Sequence, residues 1–370
     1  MKILMLGDYS NLHACLAKEL RKRGHEVTVV SDRGVYMQTQ ADIELRRKPG
    51  FWGTVRYLYN IMSILPSWRD YDVVQLINPG FLNLKPSKLC MIYDILRKNN
   101  RSVFLTLCSN DYFFVKDCVD SELYRFSEFR IGREKTPLTK ADPWRADGWL
   151  IPGYRSYTSH LYDTINGAMS ILPEYDMSAR RHMDAGKLLF TNLPIEIESL
   201  EFSDMDLKGP VRILIGMRGN MEIQKGTAHM LELCRELEAE MPGMIEVRVV
   251  KNLPLTDYLN ELRRSHIVID QLYSYSPATN ALQTMALGRI TASGGQPEFY
   301  NYIKEESRPV FCLSPLEDET ALKERLRRLV SDKEELRRMA KEGRRLVEKH
   351  NDVRRIASLF EDHWHKHIKE

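Results

Sequence analysis

The feature that most constrains this chain is a strand, a short polar loop and a helix ending at glycine, followed at once by a second strand. Residues 3–6 are an apolar run that stops at Gly7-Asp8-Tyr9-Ser10-Asn11. Leu12, Leu16 and Leu20 then recur at helical spacing, with Lys18, Glu19, Arg21 and Lys22 on the other face. Gly24 is a usual helix C-terminal residue, and residues 26–31 read as the next strand. A β-α-β unit closed in roughly 30 residues points to a parallel sheet, because parallel neighbours need a crossover over one face.

The alternation continues. Residues 73–77 and 103–107 read as strands, 168–172 as a weaker one, and 88–98 as a helix. A second α/β block follows Asn192-Leu193-Pro194: a strand at 211–215 ending at Gly216, and a helix at 227–240 with Met230, Leu231, Cys234 and Leu237 on one face. Strands at 245–250, 267–269, 290–292 and 310–313 complete the set, and 317–349 reads as one charged helix with a Leu322, Leu326, Leu329, Leu336, Met339 stripe. Residues 117–157, rich in aromatics and arginine, follow no clear period. The expected fold class is α/β, two Rossmann-like domains facing across a cleft, joined near residue 193.

Composition narrows the function. With 43% hydrophobic residues, 28% charged residues and a net charge of +3 over 370 residues, the chain is neither disordered nor a general nucleic-acid binder. Its six cysteines form no Cys-x-x-Cys pair and no zinc-type cluster, so no metal site is expected and the thiols read as reduced, in a cytoplasmic protein. The first apolar run is too short for a signal peptide, and no apolar stretch is long enough to span a membrane. The loop after the first strand lacks the second and third glycines of a dinucleotide fingerprint. Asp204-Met205-Asp206 sits in a polar linker and reads as solvated.

In open α/β sheets, ligands bind beyond the carboxyl ends of the strands. There, Gly216-Met217-Arg218-Gly219-Asn220 is followed by Gln224-Lys225-Gly226-Thr227. Arg218 offers a forked contact to phosphate oxygens and Lys225 a compact charge. Downstream, Asp270 opens a loop of small residues through Tyr275, Ala278, Thr279 and Asn280 into a short helix carrying Gln283 and ending at Gly288. Amides at such a helix start suit an anion. In the first half, Asp8, Ser10, Asn11, His13 and Asp111 follow strands and are the candidates to face the cleft.

These two segments together resemble the donor-binding half of GT-B-fold glycosyltransferases, especially the retaining family-4-like group. The resemblance rests on Gly216-Met217-Arg218 with Lys225-Gly226, on Gln283-Thr284-Met285-Ala286-Leu287-Gly288, on Gly294-Gly295-Gln296-Pro297-Glu298, and on His350-Asn351-Asp352. It implies an acceptor-side domain at 1–193, a nucleotide-sugar domain at 194–350 and a helix at 351–370 crossing back to the first. It also implies a nucleotide-diphosphate sugar as substrate, no cofactor, no essential metal, and a glycan or lipid-linked acceptor in cell-surface polysaccharide synthesis. Arg218 and Lys225 would then be catalytic, and Gly216, Tyr275, Ala278, Thr279, Asn280 and Gln283 would bind the donor. The chain departs from the group where two glutamates are expected: Tyr275 and Gln283 stand there, and neither carries negative charge. A nucleotide-sugar epimerase of the same fold, or a non-catalytic partner in glycan assembly, are the alternatives.

Residues 46–68 run from Arg46-Arg47-Lys48 into an apolar-aromatic stretch. Two readings stay open there: a core helix of the first domain, and an amphipathic segment making peripheral contact with the membrane inner face.

Overall fold

The computed structural model describes residues 1–32, 41–217, 219 and 221–368. In chain order its strands are β1 (Lys2–Leu6), β2 (Glu26–Ser31), β3 (Ile43–Glu44), β4 (Val73–Leu76), β5 (Ser102–Leu107), β6 (Arg130–Ile131), β7 (Glu134–Lys135), β8 (Gly167–Ser170), β9 (Leu188–Phe190), β10 (Val211–Met217), β11 (Ile245–Lys251), β12 (Ile267–Ile269), β13 (Ile290–Ser293) and β14 (Phe311–Cys312). The chain divides into two compact units: Met1–Lys116 with Asp147–Pro194 and Val353–Glu370, and Asp117–Ala146 with Ile195–Asp352.

The first unit holds a parallel sheet in the order β3-β2-β1-β4-β5-β8-β9. Its central strands are apolar on both faces because helices cover both. Ile3, Met5, Val29, Val73 and Phe104 pack with Leu16 and Leu20 of the Leu12–Lys22 helix. Ile356, Phe360 and Trp364 of the C-terminal helix Val353–His367 join the same cluster. The fully buried Trp364 donates its indole N–H to Gln75 on β4 at 2.9 Å, and Gln75 passes its own amide to Thr106 at 3.0 Å. Arg23 and His25 both engage Glu361, at 2.5 and 2.7 Å.

The second unit holds a parallel sheet in the order β11-β10-β12-β13-β14. The β10–β11 register runs without slip from Val211↔Ile245 to Met217↔Lys251. Ile213, Ile215, Ile267 and Ala292 meet Met230, Leu233 and Leu237 of the Thr227–Glu240 helix. Residues 117–146, unplaced by periodicity, belong here and carry the small β6–β7 hairpin. The two segments that join this unit to the rest of the chain pair directly, Ile195 N–H donating to Asn351 C=O at 2.7 Å.

Two expectations are revised. The charged run at 317–349 is two helices, Glu319–Ser331 and Lys333–Asn351. Asp332 divides them, its carboxylate capping the second by accepting from Glu334 and Glu335 N–H at 3.1 and 2.9 Å. The Phe51–Ile64 helix is not a core helix: only Tyr57 and Ile61 of it are buried.

Candidate functional site

In the second sheet the strand order reverses between β10 and β12, so the loops after these strands flank the topological switch point. Arg218, the first cation read from the sequence, lies outside the described residues. Lys225 ends the short helix Glu222–Lys225, and Gly226 follows at φ 71°. That left-handed turn brings the backbone against the second loop: a Cβ on Gly226 would stand 2.8 Å from Leu272 Cβ, and Leu272 N–H donates to Lys225 C=O at 2.8 Å.

The Lys225 ammonium donates to Asp270 Oδ1 at 2.9 Å. Asn280 donates its amide to the same oxygen at 3.0 Å, and Ser293 Oγ reaches Oδ2 at 3.3 Å. Asp270 is 2% exposed, whereas the Lys225 side chain is about a third exposed, so the ammonium keeps a solvent-facing side. A buried carboxylate thus fixes the cation of one loop to the helix start of the other. From sequence alone Asp270 carries no role beyond its position, immediately after β12.

The helix Thr279–Ala286 begins after Ala278 in extended conformation, with no side-chain cap. Its first amides have no intrahelical acceptor and carry the positive end of the helix dipole. Asn280 Oδ1 is buried with no hydrogen-bond partner among the described residues. Gln283, one turn into the helix, is half-buried, and its side-chain amide makes no hydrogen bond among the described residues. Gly216 is required for a different reason: a Cβ there would lie 2.6 Å from the Tyr258 hydroxyl. Burial pushes that phenol well above its ordinary pKa, and it stays neutral.

Tyr275 is anchored. Its hydroxyl accepts Arg125 N–H at 2.7 Å and Phe126 N–H at 3.3 Å, and its ring stacks on Phe126 with centroids 4.5 Å apart and planes 11° from parallel. Arg125 lies over the same ring, 5.8 Å from its centroid, and pairs with Glu298 at 2.7 Å. Gln224 also bonds this segment, through Glu128 and Arg145. Tyr275 therefore holds residues 117–146 onto the β12 side of the sheet. Burial raises its pKa as well.

In the first unit the order reverses between β1 and β4, and Gly7–Asn11 follows β1. Ser10 and Asn11 both have positive φ, 53° and 61°. Asp8 caps the following helix from upstream, accepting His13 N–H at 3.0 Å and Ala14 N–H at 3.3 Å. Burial lifts the Asp8 carboxyl to about 6 despite these bonds. His13 is fully buried, its Nδ1 2.7 Å from Gly7 C=O; burial holds it neutral, with a pKa near 3. Its Nε2 has no hydrogen-bond partner among the described residues. Asp111 is buried beyond β5, accepting from Tyr162 Oη at 2.6 Å and Phe114 N–H at 2.8 Å. Asn78, just after β4, donates to the Cys108 and Asn110 carbonyls at 2.7 and 3.1 Å and shapes the loop before Asp111.

The structure thus gathers Lys225, Asn280 and the helix start around Asp270 in one unit, and Asp8 with His13 in the other. Ser10 is exposed and Asn11 half-buried on the same loop. The metal-type cluster found among the described residues, Cys90, Asp94 and His160, sits on helices rather than these loops, with His160 bonded to Asp94 at 2.7 Å. No described helix is long and apolar enough to cross a membrane.

By sequence, no family model and no curated protein matches the chain. By structure, it superposes on Anabaena HepE, solved with UDP and glucose, with a TM-score of 0.65 at 11% identity, covering 99% of this chain and 100% of that one. Sucrose-phosphate synthase from Thermosynechococcus elongatus gives 0.63 at 13% identity, over 99% and 98% of the two chains. The chain has the GT-B fold. A protein named as a UDP-N-acetylglucosamine 2-epimerase from Listeria monocytogenes shares it, with a TM-score of 0.57 at 12% identity over 97% and 94%. At such identities the likeness is one of architecture: two Rossmann-like units, each a parallel sheet with a switch point.

Proposed function

We propose that this protein is a glycosyltransferase that moves a sugar from a nucleotide-diphosphate sugar to a glycan or lipid-linked acceptor. The observation that carries the reading is the Lys225–Asp270–Asn280 cluster, set at the switch point of the second sheet beside an uncapped helix start. In the transfer step the bond between the sugar's C1 and the β-phosphate oxygen breaks, and its electron pair leaves with the diphosphate. The acceptor hydroxyl oxygen bonds to C1 and passes its proton to the departing diphosphate. Negative charge therefore grows on the diphosphate, where Lys225, Arg218 and the amides of residues 278–280 would meet it. The reading assigns this neutralisation to these groups rather than to a metal ion.

Asp270 acts through Lys225. It holds the ammonium at one donor and leaves the others for phosphate oxygens. Gln283 and Asn280 Oδ1 supply hydrogen-bonding groups for ribose or sugar hydroxyls. Gly216 keeps β10 close to Tyr258, and Tyr275 gives the sugar end of the site its wall rather than a charge. On the first unit, Asp8, Ser10, Asn11, His13 and Asp111 are the acceptor-side candidates. Fold and cluster alike support this assignment, and both HepE and sucrose-phosphate synthase carry the same architecture.

The experiment is nucleoside-diphosphate release with candidate donors and acceptors, on wild type, Lys225→Ala and Arg218→Ala. Removing one preorganised cation at a developing charge costs on the order of 10²–10³ in turnover. Unchanged turnover in both variants would refute the site. A second reading, a nucleotide-sugar epimerase, draws on the Listeria neighbour; it predicts donor conversion with no acceptor present. The third, a non-catalytic partner, draws on Tyr275 and Gln283 replacing the expected glutamates, and predicts binding without turnover.

A further inference from the structure

The Phe51–Ile64 helix breaks the usual pattern of a helix on a parallel sheet. Phe51, Trp52 and Tyr59 are 73%, 79% and 72% exposed, and Val55 and Met62 are exposed as well. At about 100° per residue these five side chains fall within an arc of about 100°. Tyr57 and Ile61 lie on the opposite side and are buried. Of the eleven large apolar side chains exposed among the described residues, five stand on this one face. A concentration of this kind marks a surface that meets something other than water.

The charges beside the stripe say what it meets. From Leu45 to Arg69 the sequence has five cations, Arg46, Arg47, Lys48, Arg56 and Arg69, and no carboxylate. Glu44 pairs with Arg46 at 2.7 Å and Asp70 with Arg69 at 3.5 Å. Among the described residues Arg47 bonds only neutral groups, Asn83 and Thr54. Lys48 and Arg56 are exposed and form no ion pair among the described residues. Three uncompensated positive charges therefore flank an aromatic stripe. A second copy of this chain docking through a two-fold axis would set these cations against their own symmetry mates. An anionic bilayer surface satisfies both parts: headgroups take the cations, and Trp and Tyr are the side chains that settle at a membrane–water boundary.

We propose that the Phe51–Ile64 helix docks the protein peripherally on anionic lipid, its aromatic face in the headgroup region and Arg47, Lys48 and Arg56 on lipid phosphates. The inference rests on the helix face and its charges, not on the Lys225 cluster, so each stands or falls separately.

The test is flotation of the full-length protein with phosphatidylcholine vesicles and with vesicles carrying about one third phosphatidylglycerol. Binding is expected on the anionic vesicles and to weaken as salt is raised. The double variant Trp52→Ser/Tyr59→Ser should lose about tenfold or more in partitioning. Lys48→Gln/Arg56→Gln should lose about 20-fold on anionic vesicles and nothing on neutral ones. All four side chains are exposed, so thermal melting of both variants should match wild type. Absence of binding to anionic vesicles, or variants that bind as wild type does, would overturn the proposal. So would a dimer in solution that the Trp52→Ser/Tyr59→Ser variant dissociates.

Discussion

Replacing Tyr275 with Phe removes one oxygen and keeps the ring. The stack on Phe126 and the Arg125 guanidinium contact survive. What is lost is the acceptor for two backbone donors, Arg125 N–H at 2.7 Å and Phe126 N–H at 3.3 Å. An unsatisfied buried donor costs about 1–3 kcal/mol, whereas one that water can reach costs far less. The second bond is buried and the first only part-buried, so the expected loss is about 2 kcal/mol. That loss is local. Amide hydrogen exchange over residues 124–131 should speed up by about 30-fold. Tyr275→Ala, which also removes the ring, should cost about 3–5 kcal/mol. Exchange in Tyr275→Phe within twofold of wild type would refute the claim that this hydroxyl pins the 117–146 segment.

Acid should destabilise the protein through three buried histidines. Burial holds His13 to about 3 and, with nearby arginines, His266 to about 4; burial also holds His363 to about 4. Each binds fewer protons folded than unfolded between its folded value and about 6.5, so stability is full above that window and falls as pH drops through it. From pH 7 to 5 each loses about 2 kcal/mol. Asp8 opposes them: its raised carboxyl, about 6, gains about 1 kcal/mol over the same descent. Urea midpoints should therefore fall from pH 7 to 5, and less steeply in His363→Asn; a flat profile would contradict the assignment. Gly7→Ala should cost about 2–4 kcal/mol by thermal or urea unfolding, because Gly7 has φ 79° and a Cβ would meet Ile77 Cγ2 at 2.3 Å. A loss under about 1 kcal/mol would mean the β1 loop relaxes freely.

Most strands of the two parallel sheets were legible because they are short apolar runs, many ended by Gly, Asn or Asp, and the crossover helices have one apolar face; the edge strands β3 and β9, two and three residues long, are too short to read. Residues 227–240 come out as a helix with the expected bounds for that reason. Asp332 was missed as a break because its capping bonds are local hydrogen bonds that leave the apolar stripe nearly in phase. The segment 117–146 had no period to read, since its order comes from Tyr275 and Gln224, about 100 to 150 positions away in the chain. The same holds for Asp270, whose partner Lys225 is 45 residues upstream. Residues 46–68 carry an apolar stripe that pattern alone assigns equally to core or surface. Only the fold reveals that its buried side is two residues wide.

The most direct test of the donor site is thermal unfolding with UDP, GDP, ADP and CMP, on wild type and on Lys225→Ala. A nucleotide at 100 times its dissociation constant adds about 2.7 kcal/mol. For a chain of this size that raises the transition by several degrees, read on whichever unit binds. A rise with one nucleotide, lost in Lys225→Ala, is expected. A rise that persists undiminished in Lys225→Ala, or none with any nucleotide, would contradict the donor site.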